Sequence, residues 1–272
     1  MSGTLFVVAT PIGNLEDLTL RALRTLREVD RIACEDTRHT RQLLAHHGIS
    51  KPLVSYHDHN EQSRAPELLE DLEAGRSIAL VSDAGTPLIS DPGYRLVKAA
   101  RERGITVTPI PGPSAILASL SASGLPTDAF AFLGFPPPKQ GQRRKLLEDC
   151  GAWPITLVFY EAPHRILDLL ADIASTLGPR PVVLAREVTK MHEEFLQGTA
   201  DELLAKLANR PPLKGEITVL ISKGDAAEID DTPIDAAVDE LIASGVPRME
   251  ALKTVARRRG LSKREVYKKL NP

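Results

Sequence analysis

Residues that could do chemistry follow five short apolar runs within the first 120 residues of this 272-residue chain. One group, DAGTP at residues 83–87, carries a carboxyl, a glycine and a threonine hydroxyl. In open parallel sheets, ligands bind beyond the carboxyl ends of the strands. If the five runs are parallel strands, the groups meet at one edge of one sheet and predict a ligand site there. The other four groups occupy residues 10–14, 35–38, 57–60 and 111–115.

The longer stretch SDAGTPLISDPG, residues 82–93, matches neither of the common nucleotide-binding motifs. It lacks the G-x-G-x-x-G spacing of dinucleotide-binding proteins and the Gly-Lys-Ser/Thr of a P-loop. A phosphate would favour a nest of glycine N–H groups at a helix start, whereas this stretch carries two acids and is stiffened by Pro87 and Pro92. Its chemistry suits a ligand with hydroxyls, positive charge and no phosphates, and S-adenosylmethionine is one compound of this kind.

Structural roles compete with chemical roles for several of these residues. Asp83 could cap a turn, and Gly85 could supply a positive φ angle. His57 and His59 lie two residues apart, but zinc needs three or four ligands and no third is evident, so we predict no metal site. Cys34 lies inside an apolar run and is typical of a core residue rather than a nucleophile.

The five apolar runs alternate with helical patterns, in which leucine, valine and alanine recur at steps of three and four residues. Strands that alternate with helices imply right-handed crossovers and a parallel sheet covered on both faces. We therefore predict a doubly wound α/β domain at residues 1–120. A linker at residues 121–129 follows, because this stretch is small, polar and interrupted by Gly124 and Pro126.

A second set of apolar runs follows the linker. No crossover helix fits between residues 188 and 193, so the two strands around that gap should form an antiparallel hairpin, and the second sheet should be mixed. We predict a mixed α/β domain at residues 130–222, which gives two α/β/α domains with a ligand cleft between them. The runs occupy residues 130–135, 155–160, 181–188, 193–198 and 216–222.

A polar stretch at residues 223–233 precedes a C-terminal segment with only helical patterns, residues 234–272. The sequence GVPRMEALKTVARRRGLSKREVYKKL predicts two short helices with Gly260 between them and Ser262 as the N-cap of the last. This is the outline of a small helix-turn-helix-like unit, which many helical hairpins share.

The charge of the chain is unevenly distributed. Residues 246–272 carry nine basic side chains and two acidic ones, a net charge of +7, whereas the whole chain has a formal charge of −2. The remainder therefore carries −9. A basic segment on an acidic body suggests an anionic partner, and a solvated helical face explains the same charges equally well.

Composition excludes several classes of protein. The fractions of hydrophobic residues, 42%, and charged residues, 26%, are those of an ordinary globular protein. The apolar run at residues 5–9 has no basic segment before it and indicates a strand rather than a signal peptide. No segment approaches the roughly 20 apolar residues of a membrane-spanning helix. Cys34 and Cys150 are too few for a disulfide framework, so we expect reduced thiols and a cytoplasmic protein without a membrane partner.

Six motifs in the same order resemble the RNA-methylating branch of the tetrapyrrole-methylase superfamily, over essentially the whole chain. The resemblance implies that S-adenosylmethionine lies between the two domains. It also implies 2′-O-methylation of a cytidine ribose in the decoding region of 16S rRNA, with naked rRNA or the 30S ribosomal subunit as substrate, and a homodimer. The motifs are ATPIGN at 9–14, CEDTR at 34–38, SYHDHN at 55–60, SDAGTPLISDPG at 82–93, PGPSA at 111–115 and FYEAPHR at 159–165.

The resemblance also implies which residues bind the cofactor. Thr86 stands where tetrapyrrole methylases have an aspartate, so its contact is expected through backbone or hydroxyl rather than carboxylate. The expected cofactor-binding residues are Pro11, Asp83, Ala84, Gly85, Thr86, Ile89, Ser114, Ala115, Tyr160, Glu161, Arg186 and Glu187.

Methyl transfer to a hydroxyl requires alignment of the hydroxyl and a base that helps to remove its proton. Glu35 and Glu161 are candidates for this base, but we favour Asp36 and His59. For the RNA we expect contacts from a proline-stiffened loop and basic helix start at residues 135–145. The expected RNA-binding residues are Arg38, Lys139, Arg143, Arg144 and Lys145.

Two other functions remain open from the sequence. A solvated helix start would explain the basic residues of the 135–145 loop, but bases are unfavourable at a helix N-terminus, which argues that another group keeps them there. A small-molecule tetrapyrrole methylase would share the fold and the cofactor but would not need the basic loop. A non-catalytic RNA-binding protein would keep the basic surfaces but would have little use for the five polar groups.

Overall fold

The computed structural model describes residues 2–224 and 233–258 of the chain. Its first sheet has five strands in the order β3-β2-β4-β1-β5, and every neighbouring pair is parallel. The predicted parallel sheet is confirmed, and the five polar groups lie at its carboxyl edge. The strands are β1 (Thr4–Val8), β2 (Arg31–Cys34), β3 (Leu53–Ser55), β4 (Ile78–Val81) and β5 (Thr106–Ile110).

Four helices cover the two faces of this sheet. The chain moves outward to β3 through two helices and returns through two more. Right-handed crossovers in opposite directions place these pairs on opposite faces. One face packs Ala22, Leu26 and Leu43 on the sheet, and the other packs Leu68 and Leu96, as a doubly wound domain requires. The helices are α1 (Leu20–Glu28), α2 (Thr37–His46), α3 (Glu61–Glu73) and α4 (Tyr94–Glu102).

The second sheet also has five strands, in the order β6-β7-β10-β8-β9. The pair β6–β7 is parallel and the other three pairs are antiparallel, which confirms the predicted mixed sheet. The β8–β9 pair forms the predicted hairpin. The strands are β6 (Phe130–Phe132), β7 (Thr156–Glu161), β8 (Pro181–Arg186), β9 (Glu194–Thr199) and β10 (Ile217–Ile221).

The second sheet is covered by helices from two parts of the chain. One face carries α6 (Gln140–Gly151), α7 (Ile166–Leu177) and α8 (Ala200–Ala208). The other face carries α5 (Ala115–Ser123), whose Ile116 and Leu120 pack with residues of β8 and β10. Because α5 is apolar around most of its circumference, it can lie between two layers. It continues through the first three residues of the predicted linker, and the domain boundaries stay predictions.

The described C-terminal part consists of α9 (Ile234–Ala243) and α10 (Arg248–Arg258). These helices pack on each other through a small core of their own that includes Val238, Leu252 and Val255. The helix predicted after Gly260, its N-cap Ser262 and part of the basic tail lie outside the described residues. No helix in the described ranges is long and apolar enough to cross a membrane. Two short 3-10 helices, Leu15–Asp17 and Pro163–Arg165, complete the described elements.

Candidate active site

A cavity of about 480 Å³ lies between the carboxyl edge of the first sheet and the face of the second sheet that carries α5. The first half contributes the loops after β1, β2, β4 and β5, and the second half contributes β7, β8, β10 and their connections. This placement agrees with ligand binding beyond the carboxyl ends of parallel strands. Lining residues include Ile12, Glu35, the 83–86 loop, Ser114, Phe135, Tyr160, Ala185 and Thr218.

The loop after β4 is held by backbone pairing with the loop after β1. The Thr10 N–H donates to the Gly85 carbonyl at 2.9 Å, and the Gly85 N–H donates back to the Thr10 carbonyl at 3.0 Å. Gly85 has a φ angle of +80°, and a Cβ atom there would lie 3.4 Å from Cγ2 of Ile12. That contact is an ordinary one, so it is the left-handed backbone of the turn that favours glycine here.

The same loop contains two further residues with unusual backbone geometry. Leu88 and Ser90 have φ angles of +75° and +64°, in the left-handed region that side chains other than glycine rarely adopt. Such geometry costs about 1–3 kcal/mol per residue and concentrates at ligand sites. The loop therefore gives up some stability to hold one particular shape beside the cavity.

Asp83 joins the loops after β4 and β2. Its Oδ1 accepts the Asp36 N–H at 3.1 Å, and its side chain also lines the cavity. Asp36 in turn caps α2, because its Oδ1 accepts the Arg38 N–H at 2.7 Å. Both readings of Asp83 from the sequence thus hold together: it ties the loop and it faces the site.

Five carboxyl groups line the cavity, and among the described residues no lysine, arginine or histidine does. Three of these carboxyls have a backbone N–H or a lysine as a partner. Asp83 accepts a backbone N–H, Glu161 accepts the Ala162 N–H at 2.8 Å, and Glu216 pairs with Lys190 at 3.1 Å. The other two carboxyls belong to Glu35 and Asp91.

Burial perturbs both of these carboxyls. Desolvation raises the pKa of Asp91 to about 6, with further increases from the charges of Glu35, Asp83 and Asp58 that a hydrogen bond from Ser82 partly offsets. Desolvation also raises the pKa of Glu35, again with help from Asp83 and Asp58. Carboxyls that lose solvation and face like charges hold protons more tightly, and such groups concentrate at functional sites.

Aromatic rings form part of the opposite wall. The Tyr160 ring lies 4.8 Å from that of Phe132 and 5.6 Å from that of Phe135, measured between centroids. Burial, with the charges of Asp91 and Glu216, raises the pKa of Tyr160 to about 12, so its hydroxyl stays neutral. Phe135 is 56% exposed at the edge of the cavity. The wall thus offers flat apolar surface to a ring system.

Most of the expected cofactor-binding residues line this one cavity. Three expected residues do not. Pro11 is buried beside the lining residue Ile12, Arg186 donates to Glu194 at 3.2 Å, and Glu187 accepts from Lys190 at 2.8 Å. The ion pairs of Arg186 and Glu187 hold the end of β8 in place. The expected cofactor-binding residues that do line the cavity are Asp83, Ala84, Gly85, Thr86, Ile89, Ser114, Ala115, Tyr160 and Glu161.

Neither residue favoured as the base lines the cavity. The Asp36 carboxylate accepts hydrogen bonds from the side chain and the backbone of Arg38, which hold its pKa below its usual range. A carboxylate engaged in this way is a weak proton acceptor. His59 is exposed, and its ring centroid lies 5.9 Å from that of His57. Glu35, the other candidate from the same group, does line the cavity.

The RNA-binding expectation needs a correction at Arg143. This residue is 3% exposed, and its guanidinium pairs with Asp172 at 2.6 Å and donates to the Pro138 carbonyl at 3.2 Å. A side chain enclosed in this way belongs to the fold, and the buried carboxylate explains why bases stand near the start of α6. Arg144 also pairs with Asp172, and Lys145 pairs with Asp149. Lys139 and Arg38 are exposed.

Sequence reasoning missed lining residues of two kinds. Asp91 stands in the recognised loop but beyond the part that follows the strand directly, and its DPG context before α4 was the available signal. Residues 215–218 lie at the start of β10. Since β10 runs antiparallel to β7 and β8, its amino end lies beside their carboxyl ends. The rule that ligands bind beyond the carboxyl ends of parallel strands therefore does not predict residues 215–218.

Comparison with known proteins identifies a family, and relatives that match almost the whole chain. Residues 4–204 match the family of Tetrapyrrole (Corrin/Porphyrin) Methylases. A protein of Halalkalibacterium halodurans named Ribosomal RNA small subunit methyltransferase I is 49% identical over 272 residues, covering 97% of this chain and 93% of that protein. A protein of the same name from Escherichia coli O157:H7 is 50% identical over 269 residues, covering 98% and 94%.

Solved structures share the two-sheet architecture. Uroporphyrin-III C-methyl transferase from Thermus thermophilus, complexed with S-adenyl homocysteine, has a TM-score of 0.54 and 22% identity, covering 80% of this chain and 96% of that one. At this identity the likeness shows the fold alone. The match over residues 4–204 and the two relatives show that the chain belongs to the Tetrapyrrole (Corrin/Porphyrin) Methylases family. It is an S-adenosylmethionine-dependent methyltransferase.

Proposed function

We propose that the chain methylates the ribose 2′-hydroxyl of a cytidine in the decoding region of 16S rRNA. The observation that carries the proposal is the near full-length identity of 49% and 50% with two relatives named Ribosomal RNA small subunit methyltransferase I. The six sequence motifs together support the choice of the cytidine 2′-hydroxyl through their resemblance to the RNA-methylating branch.

The residues of the cavity fit S-adenosylmethionine, which carries hydroxyls and net positive charge but no phosphate. The backbone of residues 84–86 and the hydroxyls of Thr86 and Ser114 supply polar contacts, and Phe135 and Tyr160 supply an apolar wall. When bound, this cofactor supplies an activated methyl group. The chain then mainly has to hold the ribose hydroxyl in line with that group, a task of alignment that lowers the barrier by several kcal/mol.

We assign removal of the ribose proton to Glu35. Its carboxyl lines the cavity and has no hydrogen-bond or ion-pair partner among the residues that the structure describes. Burial raises its pKa, so it accepts a proton more readily than a solvated glutamate does. Asp36, by contrast, is engaged with Arg38, and His59 lies outside the lining.

For RNA contact we propose the exposed side of α2, the α2 basic face, formed by Arg38, His39, Arg41 and His46. All four are exposed, and α2 contains no acidic residue. The Arg38 side chain is 85% exposed although it pairs with Asp36. Because α2 begins two residues after Glu35, this face starts at the cavity. Phosphate contacts there would set the position of the RNA, and Lys139, Arg144 and Lys145 could extend them.

The proposal has three further parts. The substrate is 16S rRNA, with the 30S ribosomal subunit as its assembled form, and the protein acts in the cytoplasm. The resemblance implies a homodimer, which would have twice the 29.6 kDa mass of one chain in light scattering.

Transfer of labelled methyl groups tests the substrate class. Acceptors are 30S subunits, naked 16S rRNA and uroporphyrinogen. We expect label in the RNA, recovered after nuclease digestion as 2′-O-methylcytidine. Label in uroporphyrinogen alone would overturn the proposal in favour of a small-molecule tetrapyrrole methylase. Binding of RNA and cofactor without any transfer would point to an RNA-binding role.

Replacement of the proposed base gives a second test. We expect Glu35→Gln to lower kcat by about 100-fold or more at saturating cofactor, the contribution typical of a positioned base. The wild-type rate should rise with pH as Glu35 loses its proton, at a pH above the usual glutamate pKa because burial raises it. This rise should be absent from the variant.

The control for Glu35→Gln is Glu216→Gln. Glu216 also lines the cavity, but its charge is already paired with Lys190. We expect this variant to retain kcat within about threefold, since a glutamine keeps the size of the side chain. An equal loss in both variants, or no loss in Glu35→Gln, would contradict the assignment.

A further inference from the structure

The cofactor cavity has a strongly one-sided charge. Five carboxyls line it, and in the described ranges no cationic side chain does. A carboxylate in a cavity is partly removed from water, and a positive group beside it offsets the energetic cost of that desolvation. Among the lining carboxyls, Glu35 has no hydrogen-bond or ion-pair partner in the described residues, and Asp91 has the Ser82 hydroxyl but no cation. These two groups are arranged for a positive charge that must come from a ligand.

We propose that Asp91, assisted by Glu35, makes the cavity select S-adenosylmethionine over the demethylated product by charge. Methyl transfer breaks the carbon–sulfur bond and forms a carbon–oxygen bond, and sulfur keeps the electron pair. The ribose proton leaves to Glu35. The ligand therefore changes from net positive to neutral while its shape hardly changes. Loss of the attraction favours release of the product and its replacement by fresh cofactor.

The small size of the cavity lets the lining charges act on the ligand in any pose. A space of about 480 Å³ keeps its lining carboxyls within about 10 Å of a bound ligand, which is about one Debye length at 0.1 M salt. Partial burial screens the charges less than open solvent does. Tyr160 stays neutral, so it leaves the charge of the lining unchanged.

The groups around Asp91 predict how the selection depends on pH. Asp91 faces Glu35, Asp83 and Asp58, and the Ser82 hydroxyl and Tyr160 lie beside it. Burial, with smaller increases from these like charges, raises the pKa of Asp91 to about 6. In the free protein Asp91 is therefore ionised at pH 7 and mostly protonated at pH 5. A positive ligand favours the ionised form, so its affinity falls as the pH is lowered through this range.

Calorimetric titration of three ligands tests the inference without RNA. The ligands are S-adenosylmethionine, S-adenosylhomocysteine and sinefungin, which carries an amine in place of the methylated sulfur. At pH 7 we expect Asp91→Asn to weaken the two positive ligands by about tenfold and the neutral product by less than about twofold. From pH 7 to pH 5, the wild type should lose about tenfold in affinity for S-adenosylmethionine and little for the product.

The matched control is Asp201→Asn, which removes the same charge from an exposed residue of α8, on the face of the second sheet away from the cavity. It should change each dissociation constant by less than about twofold, because solvent screens it. Equal weakening of cofactor and product by Asp91→Asn, or no change in either, would overturn the inference. If Asp91→Asn does not fold, the wild-type pH series decides, since a constant ratio of the two affinities would also overturn it.

The inference rests on the cofactor and not on the RNA substrate. A protein that binds S-adenosylmethionine but methylates a different acceptor would still show this charge selection. The binding test can therefore succeed while the proposed RNA substrate fails, and the reverse outcome is equally distinguishable.

Discussion

Asp172 on α7 binds three side chains of the first turns of α6. Its side chain is fully buried, and it accepts hydrogen bonds from Arg143 at 2.7 Å, from Arg144 at 2.6 Å and from Gln140 at 3.2 Å. Burial alone would raise the pKa of Asp172, but the hydrogen bonds from Arg144 and Arg143 outweigh it and leave the pKa below its usual value. Arg143 and Arg144 are neighbours in the sequence and both pair with Asp172, but the side chain of Arg143 is buried whereas that of Arg144 is 45% exposed.

Removal of the Arg143 side chain should therefore reduce stability rather than RNA affinity. We expect Arg143→Ala to lower the free energy of unfolding by about 3–5 kcal/mol, because it leaves a buried carboxylate with fewer partners. Denaturant titration measures this. Lys145→Ala, whose exposed pair with Asp149 contributes little, should stay within about 0.5 kcal/mol. Weaker RNA binding by Arg143→Ala at unchanged stability would contradict this role.

The contribution of the Arg143–Asp172 pair to stability depends on pH, because the pKa of Asp172 is lowered in the folded state. A carboxyl whose pKa is lower in the folded state stabilises the fold above its unfolded pKa, about 3.9 for aspartate, and loses that contribution as the pH falls through the folded pKa. The stability difference between wild type and Arg143→Ala should therefore be full at pH 7 and shrink in acid.

At the scale of elements, α2 combines a packing role with a surface of one charge sign. Thr40, Leu43 and Leu44 are buried against the first sheet, while the α2 basic face points to solvent. The start of the helix is fixed because Asp83 accepts the N–H of its N-cap, Asp36. The basic face is thereby held at a set position relative to the cavity loop.

Neutralising this face should weaken RNA binding and leave cofactor binding intact. Each phosphate contact to a single strand contributes about 0.7 to the slope of log affinity against log salt, so Arg38→Ala with Arg41→Ala should reduce that slope by about 1.4. Binding of 16S rRNA measured between low and moderate salt gives the slope. Calorimetry with S-adenosylmethionine should show an unchanged dissociation constant.

The control for this double variant lies on the opposite face of the first sheet. Lys98→Ala with Arg101→Ala removes two exposed charges from α4. We expect the control to retain the wild-type slope. An equal change in both double variants would show that the loss reports total charge rather than contact at α2.

At the scale of the whole molecule, local patterns were sufficient for the layers of the fold. Short runs bounded by turn residues predicted every strand of the first sheet, and the short gap between residues 188 and 193 predicted the β8–β9 hairpin. The strand-end rule then located most of the cavity, because parallel strands bring their carboxyl ends to one edge.

Features that depend on distant partners were not predictable from the sequence. The ion pair of Arg143 joins residues 29 positions apart, and nothing near Arg143 signals Asp172. The amino end of β10 reaches the cavity only through its antiparallel pairing. Glu35 and Asp36 also differ in burial, and this difference decides which of them we propose as the base. Burial follows from tertiary packing rather than from neighbouring residue types.

The position of α5 has a mechanical consequence. The helix leaves the first sheet at Ser114, beside the cavity, and anchors Ile116 and Leu120 on the second sheet. Because the helix packs on β8 and β10, it moves with the second sheet, and residues 124–129 are not a free hinge between the halves. Any relative motion of the two sheets has to bend the chain between the end of β5 and Ser114. Such a bend would change the width of the cavity, since its lining comes from both sheets.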